Sequence, residues 1–313
     1  MAMTTTSSKK ISTMCILNIT PDSFSDGNTH FTYNDFSSYL EKLINEKKEK
    51  KNTEIFILDF GAHSTAPFNN NISCDEELNR FEETLIRFFK ENRNKNKNKW
   101  PEDIAISIDT YRPQVFHSIY NSIKKLSDNQ NISFIWNDIS GVVDEDVVDL
   151  LTKEKNVKYV LSYNRASLTN NREIGTAHLQ HAKDMTPDEL LEDIVKFFKS
   201  KLAFIDIWNS DKVFLDPCFG FAKTRNENQI LLDNLDKIIE KFPLETKWLI
   251  GISKKSFLRK PSELGSRDPL VIEEIEKIHL DLLSKWIKQM PNNFFVFRVH
   301  NIEIVQNAYS LCH

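Results

Sequence analysis

The chain has 313 residues, of which 40% are hydrophobic and 27% are charged, and its formal net charge is −4. This composition is typical of a globular protein with a substantial core, and the weak negative charge argues against nucleic acid or an anionic membrane as the main partner. No apolar run reaches the about 18 residues that a membrane-spanning helix needs.

The four cysteines, Cys15, Cys74, Cys218 and Cys312, form neither a CxxC pair nor a disulfide framework. This spacing favours a reducing compartment. We therefore predict a cytoplasmic location and leave a mitochondrial one open.

Short apolar runs alternate with helical patterns along the chain. The predicted strands are Met14–Ile19, Glu54–Phe60, Ile104–Asp109, Ile132–Asp138, Val157–Tyr163, Val213–Asp216, Trp248–Ser253 and Phe294–Val299. The predicted helices are Asn34–Glu46, Cys74–Lys90, Arg112–Lys125, Glu145–Lys153, Pro187–Leu202, Asn226–Lys241, Pro269–Lys288 and Ile302–Leu311. The strands are continuous apolar runs, as expected for a parallel sheet that is buried on both faces.

Eight strands alternating with eight helices predict a (β/α)8 TIM barrel of the α/β class. A doubly wound open sheet is the rival fold, but the first strand-to-helix turn carries no GxGxxG. The Ser/Thr/Lys-rich segment 1–13 is predicted to be a disordered tail, and residues 14–313 are predicted to form a single domain.

Polar side chains recur at the carboxyl ends of the predicted strands. They are Asn18, Asp59, Ser64, Thr65, Asp109, Asn137, Asp138, Tyr163, Asn164, Asp216, Ser253, Lys254, Lys255, Arg298 and His300. Any one of them could be a helix cap or a turn residue. Their recurrence at the end where barrels place their active sites favours a shared site instead.

Hydrogen-bond acceptors and cationic groups occur at the ends of different strands. Asp109, Asn137 and Asp216 follow strands 3, 4 and 6, whereas the cationic groups follow strands 7 and 8. Carboxylates accept paired N–H groups of a heterocycle, and the loops after strands 7 and 8 commonly bind phosphate in barrels. We therefore expect a planar nitrogen heterocycle attached to a phosphate group.

The motifs at the strand ends resemble those of the dihydropteroate synthase family, including the synthase part of the fungal trifunctional folate-biosynthesis protein. The similar segments are ILNITPDSFSDGN from Ile16, LDFGAHSTAP from Leu58, ISIDT from Ile106, WNDISG from Trp136, LDPCFGFAKT from Leu215, GISKKSFL from Gly251 and FRVHN from Phe297. The resemblance implies a TIM-barrel transferase of folate biosynthesis. It would condense (7,8-dihydropterin-6-yl)methyl diphosphate with 4-aminobenzoate to form 7,8-dihydropteroate and pyrophosphate.

The same resemblance implies roles for individual residues. Pterin would be held by Asp109, Asn137, Asp216 and Lys255, with Arg298 stacking over the ring. Asn18 would ligate Mg²⁺, and His300 with Asn18 would contact the diphosphate. The catalytic residues would be Asp109, Lys255, Arg298 and His300. Ser64, Thr65, Phe221 and the loop Pro21–Gly27 would form the aminobenzoate site. A homodimer and linkage to other folate-pathway activities in a longer chain are further implications.

The sequence departs from the family pattern at several positions. Ala66 replaces an expected arginine, Cys218 and Ala222 replace glycines, Lys254 replaces an arginine, and Asn164 lies in a segment that lacks the usual Met-His-Met pattern. Two alternatives therefore remain open beside an active synthase. One is a catalytically weakened pterin-binding paralogue with a regulatory or assembly role, and the other is a related pterin-dependent methyltransferase.

Overall fold

The eight strands form a closed parallel barrel in chain order in a computed structural model. The structure describes residues 11–20, 32–49, 56–63, 72–94, 100–128, 130–164, 184–205, 211–266 and 268–312. The strands are β1 (Ile11–Asn18), β2 (Phe56–Gly61), β3 (Ile104–Asp109), β4 (Phe134–Asp138), β5 (Val157–Ser162), β6 (Val213–Asp216), β7 (Lys247–Ile250) and β8 (Phe294–Val299). The predicted TIM barrel is thus confirmed.

Helices pack around the barrel between successive strands. The α-helices in the described part of the chain are α1 (Tyr33–Glu49), α2 (Cys74–Phe81), α3 (Arg87–Asn94), α4 (Pro113–Leu126), α5 (Glu145–Lys153), α6 (Pro187–Phe204), α7 (Arg225–Asp233), α8 (Leu235–Ile239), α9 (Pro269–Gln289) and α10 (Glu303–Ser310). A π-helical turn, Glu82–Ile86, joins α2 to α3, and 3₁₀ turns occur at Ser256–Leu258 and Pro261–Glu263. None of the helices within these ranges combines the length and the apolar character required to cross a membrane.

The first strand begins earlier than predicted. β1 begins at Ile11, three residues before the predicted start, because Ile11, Ser12 and Thr13 pair with Phe295–Phe297 of β8. This pairing closes the barrel. The strand start was predicted too late because Ser12 and Thr13 are polar and do not extend the apolar run, although both side chains are buried.

The helix predicted over Asn226–Lys241 is wrong as a single element. The chain leaves the helical conformation at Asn234, where φ is −128°, so α7 and α8 are separate helices. The Asn234 side chain donates to the Ile230 carbonyl at 2.7 Å, which satisfies a backbone group at the end of α7.

One apolar side chain from each strand fills the middle of the barrel. These eight residues are Met14, Ile57, Ala105, Ile135, Val160, Phe214, Leu249 and Val296, and each is at most 3% exposed. Successive side chains of a strand point to opposite faces. The residue two positions further along each strand therefore also points inward, one level closer to the carboxyl ends.

Candidate active site

The level above the apolar layer is polar. It contains Asp59, Ser107, Asn137, Ser162, Asp216 and Arg298, each two residues beyond a member of the apolar layer. We call these residues the polar layer. Its position agrees with the predicted site, because the carboxyl ends of the strands form the catalytic end of a TIM barrel.

Asp59 is the centre of the polar layer and is 0% exposed. Ser107 donates to its Oδ1 at 2.5 Å, and the Asn137 amide nitrogen lies 3.2 Å from the same oxygen. Arg298 donates from Nε to Oδ2 at 2.7 Å. Sequence reasoning noted Asp59 at a strand end but assigned it no role. The available signal was a single acid in the otherwise apolar run Phe56–Gly61.

Arg298 lies between two carboxylates. Besides its bond to Asp59, its Nη2 donates to Asp109 Oδ2 at 2.5 Å. Burial lowers the pKa of the guanidinium, but Asp59 and Asp109 outweigh this effect and raise it above the ordinary value. The structure thus brings Arg298, as a fixed cation, to the open end of the barrel at the carboxyl ends of the strands, which we call the mouth. Its predicted stacking over a pterin stays a prediction.

Asp109 has an unusual acidity for a carboxyl group. Burial raises its pKa to about 7, while Arg298 opposes the rise and Asp59 and Glu77 add to it. Since a carboxyl group with this pKa changes protonation near neutral pH, Asp109 is suited to respond to a ligand that donates an N–H group.

Asp216 and Lys255 also lie at the mouth. Asp216 is the last residue of β6, and Lys255 follows β7. Burial raises the pKa of Asp216 and lowers that of Lys255, and the two groups oppose each other's shifts by their opposite charges. The Lys255 amine lies 4.2 Å from the centroid of the Phe221 ring. Gly220 has φ of +82°, and a Cβ there would lie 3.1 Å from Lys255 Cδ, so glycine leaves room for the lysine.

Two departures from the family pattern occupy backbone positions that favour glycine. Cys218 and Ala222 have φ of 62° and 48°, and Lys254 also has a positive φ of 57°. The loop after β6 thus has left-handed conformations despite the two side chains that replace glycines. Each such residue stores strain on the order of 1–2 kcal/mol.

His300 is held by Ser253. The Ser253 hydroxyl lies 3.0 Å from His300 Nδ1 and also accepts the His300 backbone N–H at 3.3 Å. Burial lowers the pKa of His300 to about 3, and Lys254, Arg298 and Lys255 reinforce the shift. The ring is therefore neutral at pH 7 and offers one N–H donor rather than a positive charge.

Asn18 ends β1 close to the acids. A Cβ built on Gly61 would lie 3.5 Å from both Asn18 Oδ1 and Asp109 Oδ2, so the glycine separates these two oxygens. The described residues contain no group of three or more His, Cys, Asp or Glu side chains that could hold a metal. An amide oxygen near a carboxylate still suits Mg²⁺, which retains several waters and needs few protein ligands.

Part of the predicted site falls outside the described residues. This holds for Ser64, Thr65, Ala66 and the loop Pro21–Gly27. The flanks of residues 64–71 are described, and two arginines anchor them. Arg80 donates to the Ala62 carbonyl at 2.9 Å, and Arg112 donates to the Ile72 carbonyl at 2.7 Å.

Asn164 and Phe221 are also placed by the structure. Asn164 is buried and donates to the Ile139 carbonyl at 3.0 Å, so its amide has a structural contact behind the mouth. Phe221 is half-buried and lies beside Lys255. The structure therefore gathers Asn18, Asp109, Asn137, Asp216, Lys255, Arg298 and His300 at one end of the barrel.

Comparisons with known proteins identify the family to which the chain belongs. Residues 14–288 match the family of pterin binding enzymes. Dihydropteroate synthase of Bacillus subtilis is 31% identical over 82% of this chain and 74% of its own length, and that of Staphylococcus haemolyticus is 27% identical over 92% and 89%. The crystal structure of Plasmodium falciparum HPPK-DHPS with pterin and p-hydroxybenzoate has a TM-score of 0.69 at 25% identity. The match covers 97% of this chain and 48% of that one. The chain therefore belongs to the pterin binding enzyme family.

Proposed function

We propose that this chain is a dihydropteroate synthase, a transferase that makes 7,8-dihydropteroate and pyrophosphate in folate biosynthesis. Its substrates would be (7,8-dihydropterin-6-yl)methyl diphosphate and 4-aminobenzoate. The observation that carries the proposal is the polar end of the barrel, where acceptors on β3, β4 and β6 face cations that follow β7 and lie on β8. Membership of the pterin binding enzyme family supports it.

The acceptors suit the pterin ring. Asp109, Asn137 and Asp216 would accept its N–H groups, and Lys255 would donate to a ring acceptor. Ionised carboxylates form the stronger hydrogen bonds, and a ligand that donates to them favours their charged form. Binding would therefore lower the raised pKa values of Asp109 and Asp216.

The reaction needs a good leaving group more than a strong base. The aryl amine nitrogen attacks the methylene carbon, and the bond from this carbon to the diphosphate oxygen breaks with its electron pair on oxygen. The amine then loses one proton. Cations at the mouth stabilise the growing negative charge, and His300, being neutral, would contribute an N–H donor.

We propose Mg²⁺ as the cofactor and Asn18 as its protein ligand. When bound, the metal would neutralise charge on the diphosphate. This proposal is supported by the position of the Asn18 amide oxygen, which lies on the other side of Gly61 from the Asp109 carboxylate. Mg²⁺ prefers hard oxygen donors of this kind.

The aminobenzoate side of the site is proposed from Phe221, Ser64 and Thr65. Phe221 offers an aromatic face beside Lys255. We also propose a homodimer, and linkage to other folate-pathway activities in a longer chain. The linkage is supported by the Plasmodium falciparum structure, of which this chain covers 48%.

Pyrophosphate release in the presence of both substrates and Mg²⁺ tests the proposal. We expect release that depends on each substrate and on the metal. Pterin binding without pyrophosphate release would instead support the weakened paralogue, which the Ala66 replacement favours. Transfer of a methyl group would support the methyltransferase.

A further inference from the structure

Asp59 cannot contact a substrate, although it lies at the centre of the mouth. Its side chain is 0% exposed, and its oxygens accept from Ser107, Asn137 and Arg298 on three other strands. A carboxylate with this burial and these donors is satisfied by the protein alone. Any role in recognition must therefore act through its partners.

The first partner is Arg298. Its guanidinium is shared between Asp59 and Asp109, with one bond to each carboxylate. Arginine pairs best with a single carboxylate through two parallel bonds. If Asp59 were neutral, Arg298 would turn toward Asp109 and occupy both of its oxygens. The charge on Asp59 therefore keeps part of Asp109 available to another donor.

The second partner is Asn137. An ionised carboxylate only accepts hydrogen bonds, so the amide nitrogen of Asn137 must face Asp59. The amide oxygen is consequently the end turned away from Asp59. This fixes Asn137 as an acceptor toward a ligand rather than a donor.

We infer that Asp59 is a positioning residue for pterin recognition, which sets the direction of Arg298 and the amide orientation of Asn137. The inference rests on the proposed function for the identity of the ligand. It assigns to β2 a role that complements the ligand-facing groups of β3, β4 and β8.

Asp138 provides a matched control. It is also 0% exposed and ends a strand next to Asn137, but it is one residue away and so points to the opposite face of β4. It accepts from the Tyr159 hydroxyl at 2.9 Å and from the Ser140 backbone N–H at 2.8 Å. Replacing either aspartate by asparagine exchanges one buried carboxyl oxygen for an amide nitrogen.

The test is calorimetric titration of free pterin into the full chain and its variants, with the melting temperature measured in parallel. Asp59→Asn should weaken pterin binding at least about tenfold, because Arg298 and Asn137 lose their common acceptor charge. Asp138→Asn should bind pterin within about twofold of the parent chain, whatever its melting temperature. In the Arg298→Ala background, Asp59→Asn should cause a smaller further loss of pterin binding than it causes in the parent chain, because the part of its effect that acts through Arg298 is already gone while the part that acts through Asn137 remains.

The outcomes separate this inference from the proposed function. Normal pterin binding by Asp59→Asn, or equal losses in both aspartate variants, would overturn the positioning role. A parent chain that binds pterin but releases no pyrophosphate would refute the synthase and leave the positioning role standing. A parent chain that does not bind pterin would overturn both.

A second variant covers the case in which Asp59→Asn does not fold. Ser107→Ala removes one donor to Asp59 and keeps every charge. It should weaken pterin binding about two- to fivefold. Unchanged affinity in Ser107→Ala would then count against the inference.

Discussion

The two ends of the barrel interior hold charged groups in different ways. At the carboxyl end, Arg298 lies between Asp59 and Asp109, and each group is tied to another strand. At the amino end, Lys158 and Lys247 approach the ring of Phe214 at 5.9 and 5.8 Å. Burial lowers the pKa of both lysines, and each of them faces Asp211, whose charge favours the protonated form.

The difference lies in partners rather than in burial. Lys247 donates to the backbone carbonyl of Asp211, and neither lysine forms an ion pair within 4.0 Å with a carboxylate of the described residues. Long lysine stems can cover apolar surface while the amine reaches water. Charges at the carboxyl end are instead fixed in direction, as recognition of a flat ligand requires.

The largest expected effect is on kcat/KM, when a lysine at the carboxyl end and a lysine at the amino end of the barrel are each replaced by alanine. Lys255→Ala should lower kcat/KM for the pterin diphosphate about 10²–10³-fold, because it removes the cation that balances Asp216 and Asp109. Lys247→Ala is the control and should change kcat/KM by less than about threefold, since bottom-face residues of barrels serve stability. Normal kinetics in Lys255→Ala would show that the site is misplaced.

The next effect concerns one acceptor at the mouth. Asp216→Asn should weaken pterin binding by about 1.5–3 kcal/mol, because a charged acceptor for ring N–H groups becomes neutral. The asparagine oxygen can still accept the Cys218 backbone N–H that now donates to Asp216 at 2.7 Å. Calorimetric titration of pterin measures the change, and unchanged affinity would argue against this pairing.

The pH dependence of binding should reflect Asp109. Its pKa is raised to about 7, so the carboxyl gains a proton as the pH falls through 7 and no longer accepts two hydrogen bonds. We expect pterin affinity to fall below pH 7, as measured by titration from pH 5 to 8. The charged groups that act on Asp109 are Arg298, Asp59, Glu77 and Lys255. Pterin affinity that is constant over this range would contradict the assignment.

The folding stability should also depend on the ionisation of Asp109, but its contribution should decrease as the pH rises, whereas pterin affinity should increase. The folded pKa lies above the ordinary value of 3.8, so the folded chain binds the proton more tightly than the unfolded one. The contribution to the free energy of unfolding is therefore present below pH 3.8 and lost as the pH rises toward 7. Asp109→Asn should flatten this part of the stability profile, measured by urea denaturation at each pH.

The smallest effect is expected at the amino end. Lys158→Met should keep kcat/KM within about twofold and raise the free energy of unfolding by at most about 1 kcal/mol. Methionine keeps a stem of similar length and removes the repulsion with Lys247. A large loss of activity in Lys158→Met would refute the contrast between the two ends.

Some features of the fold and the site could be read from local pattern. β3, β6 and β8 have the predicted bounds, because each is a short apolar run with a polar residue at or near its end. The places of Asp109, Asn137 and Asp216 at the carboxyl ends of their strands could also be read from the sequence, whereas their contact with a ligand stays a prediction. Parallel strands in a barrel carry such residues to one rim.

The contacts within the site could not be read in this way. Asp59 and Arg298 are 239 positions apart, and Asp109 and Arg298 are 189 apart. No local signal links such residues, and an acid at a strand end can face either the barrel interior or the helices. Asp138 shows this, because it follows Asn137 directly and points outward.

The sequence by itself determined the fold class and the residue types at the rim, because the alternation of apolar runs and helical patterns is a local property of the chain. Only the tertiary structure decided which side chains share the interior and which carboxylate receives the guanidinium of Arg298. The physical reason is closure: β1 and β8 lie at opposite ends of the chain and pair along Ile11–Cys15 and Phe295–Val299. This pairing sets the register that brings Arg298 to Asp59 and Asp109.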